Sequence, residues 1–181
     1  PGERMIDEHG TADWHLGPWN RDFETTTLVA GQAQLEQLKT LGFAARVDEV
    51  VADLGPAGEG IYPANWTLGR ESGEEAYWCY SVQAQADFRA QMAERYDTVA
   101  AANAAWGLGP ANAFPEWAAV SIPPPGTAWA RGAFWQDMLV WYRDAKRNMM
   151  LARIRQTQEL TRELVGPQAK CIVYLPGYAY T

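Results

Sequence analysis

"DLGPAGEGIYPANW", residues 53–66, sets three glycines, two prolines and two aromatic rings around one glutamate, Glu59. The stretch directly follows "ARVDEVVADLG", where Val47, Val50, Val51 and Leu54 form a β-branched, apolar run closed by Gly55-Pro56. Such a run predicts a largely buried strand of the parallel kind. A second run, "KCIVYLPGY" at 170–178, also reads as a buried strand ending in Pro-Gly and aromatic residues. In parallel β/α architectures the carboxyl ends of the strands hold the active site. Glu59 sits about five residues beyond the first predicted strand, which marks it as a candidate for chemistry.

Outward from there the chain alternates helix and strand. Leu35, Leu38 and Leu41, with Gln, Glu and Lys between them, predict an amphipathic helix over Gln32–Leu41 that Gly42 stops. Residues 1–30 read as loop with short strands. Residues 55–80 form a long loop carrying Glu59, Glu71, Glu74 and Glu75; loops of that length are usually functional. "RESGEE" within it also reads as a plain solvated turn. Ser81 caps a predicted helix reaching toward Ala105, with Val82, Ala86, Met92, Tyr96 and Val99 on its apolar side. A Pro/Gly-rich stretch follows, and a long helix is predicted from about Trp129 to Leu164, ended by Gly166-Pro167. The fold class is therefore α/β with parallel strands and long helices, read as a single domain over 1–181.

Composition narrows the function. Of 181 residues, 48% are hydrophobic and 20% charged, which suits a packed globular chain. The net charge of −7, without a Lys/Arg run, argues against nucleic acid and anionic membrane surfaces. No segment approaches the roughly 18 apolar residues of a membrane span. The start, "PGERMIDEHG", has no apolar signal core and no initiator methionine, so the chain is expected to begin inside a longer product. The compartment is left open. Cys79 and Cys171 fit neither a disulfide framework nor a zinc spacing and are expected as free thiols. His9 and His15, beside Asp7, Glu8 and Asp13, lack an obvious third ligand, so a polar loop is favoured over a metal site. No cofactor is expected.

Nine tryptophans stand out in a chain of this size. They suit either a Trp-rich core or a cleft in which flat rings meet the apolar faces of sugars. Cleavage of a glycosidic bond needs a carboxylic acid kept neutral by apolar surroundings, and a second carboxylate across the sugar ring. Glu59 is the candidate acid, and Tyr62, Trp66 and Trp78 are candidates for its surround and stacking platform. The second carboxylate is not identified.

"LGPAGEGIYP", residues 54–63, resembles the Gly-Pro-Ala-Gly-Glu-x-x-Tyr-Pro signature of beta-amylases, glycoside hydrolase family 14. "GEEAYWCYSVQAQADFR", residues 73–89, is similar to that family's Gly-Glu-Phe-Gln-Cys-Tyr-Asp stretch and the helix after it. This resemblance implies that Glu59 is the general acid, that Tyr62 and Pro63 shape its loop, and that Cys79 and the substrate-binding Tyr80 fill the Cys-Tyr positions. Gly60 and Ile61 replace the family's Leu-Arg, removing one polar contact near the acid. A second resemblance, of "DFRAQMAERYDTVAAANAAWGLG" and "FPEWAAVSIPPP", is to family 42 beta-galactosidases. That family's acid/base belongs to an Asn-Glu pair, and this chain has no Asn-Glu dipeptide.

Both families share the (β/α)8 barrel, so the resemblance implies a TIM-barrel glycosidase acting on a carbohydrate. A complete barrel takes about 250 residues. The chain is accordingly expected to be a central portion, with a further segment or chain completing the barrel and supplying the second carboxylate. A non-catalytic carbohydrate-binding fragment is the alternative from another class.

Overall fold

The computed structural model of the chain describes residues 4–54, 77–126 and 131–174, with backbone alone at 14, 21–24, 26 and 27. The chain divides into two compact units, residues 1–20 with 75–145 and residues 21–74 with 146–181.

The first unit opens with an antiparallel hairpin of β1 (Arg4–Ile6) and β2 (Ala12–Leu16). The Asp7 carboxylate shapes the turn by accepting the backbone N–H groups of His9 and Thr11 at 2.9 and 2.7 Å. Helix α2 (Val82–Tyr96) starts where the Ser81 hydroxyl accepts Ala84 N–H, a side-chain N-cap. Its buried stripe is Ala84, Phe88 and Met92, spaced at i, i+4 and i+8. Val82, expected on that stripe, is 77% exposed, and Ala86 is exposed as well. The helix predicted to continue to Ala105 instead breaks at Asp97, whose φ is 64°. Thr98 then caps a separate α3 (Val99–Ala105) by accepting Ala101 N–H. An N-cap needs extended backbone, so a capping threonine outweighs the helix propensity of the alanines around it.

Asn103 ties the next loop down, its amide bonding both the carbonyl and the N–H of Phe114 at 2.8 and 3.0 Å. Helix α4 (Ala133–Leu160) begins in this unit and buries Phe134, Trp135, Met138, Trp141 and Tyr142 in the core. The indoles belong largely to this core: Trp78, Trp106, Trp135 and Trp141 are buried, and Trp19 and Trp117 pack against them. Two aspartates accept their N–H groups. Asp87 Oδ2 takes Trp19 and Trp141, and Asp137 Oδ2 takes Trp106 together with the Tyr96 hydroxyl. Of the two roles open to the tryptophans, core packing is the one the described rings play.

In the second unit α1 (Arg21–Thr40) starts eleven residues before the predicted Gln32. Three consecutive threonines and Gly31 hide its first half from a propensity reading. Its end is as expected: Gly42 has φ 73°, Phe43 N–H returns to Leu38 O and Gly42 N–H to Lys39 O, a Schellman closure. Leu35 is buried and Leu38 packs beside it, but Leu41 is 58% exposed. Strands β3 (Glu49–Val51) and β4 (Lys170–Ile172) pair in parallel, with Val50 opposite Cys171. Both were expected to be buried and are not: Val51 is 39% exposed, and Cys171 and Ile172 are half-buried. Each has one strand neighbour among the described residues, which leaves surface that a larger sheet would cover. Before β4, α4 passes into a π-helical turn, Thr161–Val165, and Gly166 reverses the chain at φ 127°. Leu164 and Val165 close over Leu35 to form this unit's core.

Candidate active site

The chain approaches the candidate acid from the carboxyl end of β3. The ladder's last bond runs from Ala52 N–H to Ile172 O at 2.9 Å. Ala52 and Leu54 are buried, and between them the Asp53 carbonyl accepts Arg153 Nη1 at 3.1 Å. The chain thus leaves a parallel strand on an anchored carbonyl and enters the loop with the Gly-Pro-Ala-Gly-Glu sequence. Because β3 ends at Val51, Glu59 follows it by eight residues (59 − 51) rather than about five. Glu59, Tyr62 and Trp66 lie outside the described residues, as do Glu71, Glu74 and Glu75.

Trp78 and Tyr80 are described, both in the first unit. The Trp78 ring is buried, and its backbone N–H donates to the Tyr142 hydroxyl at 3.3 Å. Tyr80 is bound at both ends, its N–H to Ile6 O and its hydroxyl to Pro123 O at 2.7 Å. Burial, and then the neighbouring Cys79, Glu8 and Tyr77, push its phenol well above the ordinary tyrosine range. Cys79 and Cys171 are free thiols, as expected.

The short strands expected within residues 1–30 are present, and two of the hairpin's side chains are buried. The Glu8 carboxylate is buried and accepts Tyr77 N–H at 2.9 Å, stitching the hairpin to the Cys-Tyr segment. His15 Nδ1 meets Asp13 Oδ2 in a buried pair. Alternation of polar and apolar residues in "ADWHL" was the available signal for that strand. Among the described residues no group of three His, Cys, Asp or Glu side chains could hold a metal ion. No helix among them is long and apolar enough to cross a membrane.

The glycoside hydrolase family 42 model, described as beta-galactosidase, matches residues 21–169. The chain belongs to this family. The match spans both units and includes the Glu59 loop, α2, α3 and α4. A thermophilic beta-amylase from Thermoanaerobacterium thermosulfurigenes is 31% identical over 103 residues, 52% of this chain and 17% of that protein. The crystal structure of the catalytic domain of beta-amylase from Paenibacillus polymyxa superposes with a TM-score of 0.77 at 18% identity, covering 94% of this chain and 41% of that one. The fold is therefore a portion of a (β/α)8 barrel of the glycosidase type. The chain spans well under half the length of both relatives.

Proposed function

We propose that this chain supplies the general acid of a glycoside hydrolase and that Glu59 is that acid. One observation carries the reading: β3, a parallel strand in a portion of a glycosidase barrel, ends at Val51, and the Gly-Pro-Ala-Gly-Glu sequence that holds Glu59 begins four residues later at Gly55. A carboxylic acid there protonates the departing glycosidic oxygen as positive charge grows on the anomeric carbon. Tyr62 and Trp66, three and seven positions further on, are the candidate rings for an apolar surround, which would favour the protonated form of the acid. Tyr80 is the candidate stacking ring of the first unit, whereas the Trp78 ring is buried there and serves packing. Tyr80's hydroxyl is held on Pro123, so its contribution is the ring face. The remaining barrel strands and the second carboxylate come from a further segment of the protein.

The beta-amylase likeness of the acid motif favours hydrolysis of an α-glucan with inversion. Membership of the beta-galactosidase family favours a second reading, retention on a β-galactoside. Incubating the full-length protein with maltohexaose and with lactose, and reading the first product anomer by NMR, separates them. The beta-amylase reading expects the β-anomer from maltohexaose, and no cleavage of any α-glucan would sink it. A carbohydrate-binding module would bind sugar and turn over neither substrate. Replacing Glu59 by Gln should lower kcat by about 10²–10⁴ and leave sugar affinity in place.

A further inference from the structure

Helix α4 carries several arginines, and its second half keeps one of them out of solvent. Arg147 and Arg155 are exposed, whereas Arg153 is 6% exposed. Its Nη1 donates to the carbonyl of Asp53, one hundred residues away in sequence. That carbonyl sits one residue past the last ladder bond, where the sheet no longer dictates the backbone's direction. Buried residues on either side, Ala52 and Leu54, hold the segment in the interior.

We propose that Arg153 is a positioning residue for the acid loop: anchored on the Asp53 carbonyl, it fixes the direction in which the chain leaves β3 toward Glu59. The inference rests on the glycosidase reading above. Burying a guanidinium is costly, and an apolar side chain of similar volume would fill the same space without that cost. What the guanidinium adds is direction. Its rigid, planar guanidinium aims the Nη1 N–H at the carbonyl, which methionine cannot do and an ammonium does less rigidly. Glu59 follows Asp53 by six positions, so the anchor lies close to the acid along the chain. Misplacing a catalytic group by about 1 Å costs on the order of 10²-fold in rate.

The test uses Arg153→Met and Arg153→Lys in the full-length protein, with kcat per folded molecule, KM, and hydrogen exchange of the amides of residues 52–60. Arg153→Met should lower kcat by about 10- to 100-fold. KM should stay within about twofold, because sugar binding does not depend on the acid's placement. Exchange over residues 52–60 should accelerate, and Arg153→Lys should recover part of both losses. If Arg153→Met does not fold, Arg153→Lys carries the test, with smaller changes of the same sign. Unchanged kcat overturns the proposal whether or not exchange accelerates, since a merely structural strap would loosen the loop without slowing chemistry. A fall in kcat without faster exchange overturns it too. A wild-type protein that hydrolyses no glycoside instead removes the glycosidase reading, and exchange alone then decides whether Arg153 anchors the loop.

Discussion

The two units solve different problems with the same kinds of residue. In the first, rings stack on rings: Trp19 lies 4.9 Å from Trp141, Trp106 lies 4.3 Å from Phe134, and Phe88 meets Trp141 edge-on. Asp87 accepts the indole N–H groups of Trp19 and Trp141 and Asp137 that of Trp106, so these rings pack with their polar edges satisfied. The second unit has a small aliphatic core of Leu35, Leu164 and Val165 under a two-stranded parallel pair. Arg153, its one buried arginine among the described residues, bonds the Asp53 carbonyl at the exit of β3. Dense ring packing lies in the first unit, and the candidate acid follows a strand of the second in sequence. Among the described residues, abundant tryptophan therefore marks a cross-linked core.

That contrast can be broken by mutation, beginning with the buried carboxylate. Asp137 binds Tyr96 at 2.5 Å, Trp106 at 2.9 Å and Arg95 at 3.0 Å, pinning the corner between α2 and α3 to α4. Asp137→Ala should destabilise by about 3–5 kcal/mol in urea unfolding, because it strands buried donors. A loss below about 1 kcal/mol would show that the ring stacking stands without it. Leu164→Ala should cost about 2–3 kcal/mol, toward the lower end for a buried leucine, since partly exposed surroundings can close around the gap. A loss matching Asp137→Ala would mean the second unit is as tightly built as the first.

Alkaline pH sharpens the comparison further. Burial, then the hydrogen bond to Asp137, raises the Tyr96 phenol above its ordinary value, and burial raises that of Tyr80 more strongly. A raised tyrosine favours the neutral form in the fold. Its contribution is complete below the unfolded value of about 10 and is lost as pH climbs past it. Unfolding free energy should fall above about pH 10, and Tyr80→Phe should flatten that fall while leaving stability less dependent on pH. Helix caps give smaller effects: Ser81→Ala and Thr98→Ala should each cost about 1 kcal/mol. Smallest is Asp97→Gly, which relieves a positive φ between α2 and α3 and should raise stability by under about 1 kcal/mol in the same unfolding assay.

Much of the fold was legible because local chemistry decided it. The apolar face of α4, the Gly42 closure of α1 and the two β-branched runs all follow from periodicity and turn residues. The stretch around Glu59 stands out by its motif and its place after a predicted strand, and its residues lie outside the described ones. Legibility failed where long-range contacts decide the outcome. The Ala-rich segment after Tyr96 reads as continuous helix, and Asp137 on α4 is what holds its corner. Trp106 and Trp141 read equally well as sugar platforms until Asp137 and Asp87 are found at their N–H groups. Arg153 reads as one more solvent-facing charge on a helix, since nothing local in sequence points to Asp53.

Glu59's role as proton donor is tested most directly by leaving-group dependence. Proton donation assists a sugar alkoxide far more than an acidic phenol, which departs unaided. Glu59→Gln should slow hydrolysis of the oligosaccharide substrate by about 10²–10⁴, and slow the corresponding dinitrophenyl glycoside by less than about tenfold. Equal losses on both substrates, or no loss on either, would contradict the assignment of Glu59 as the general acid.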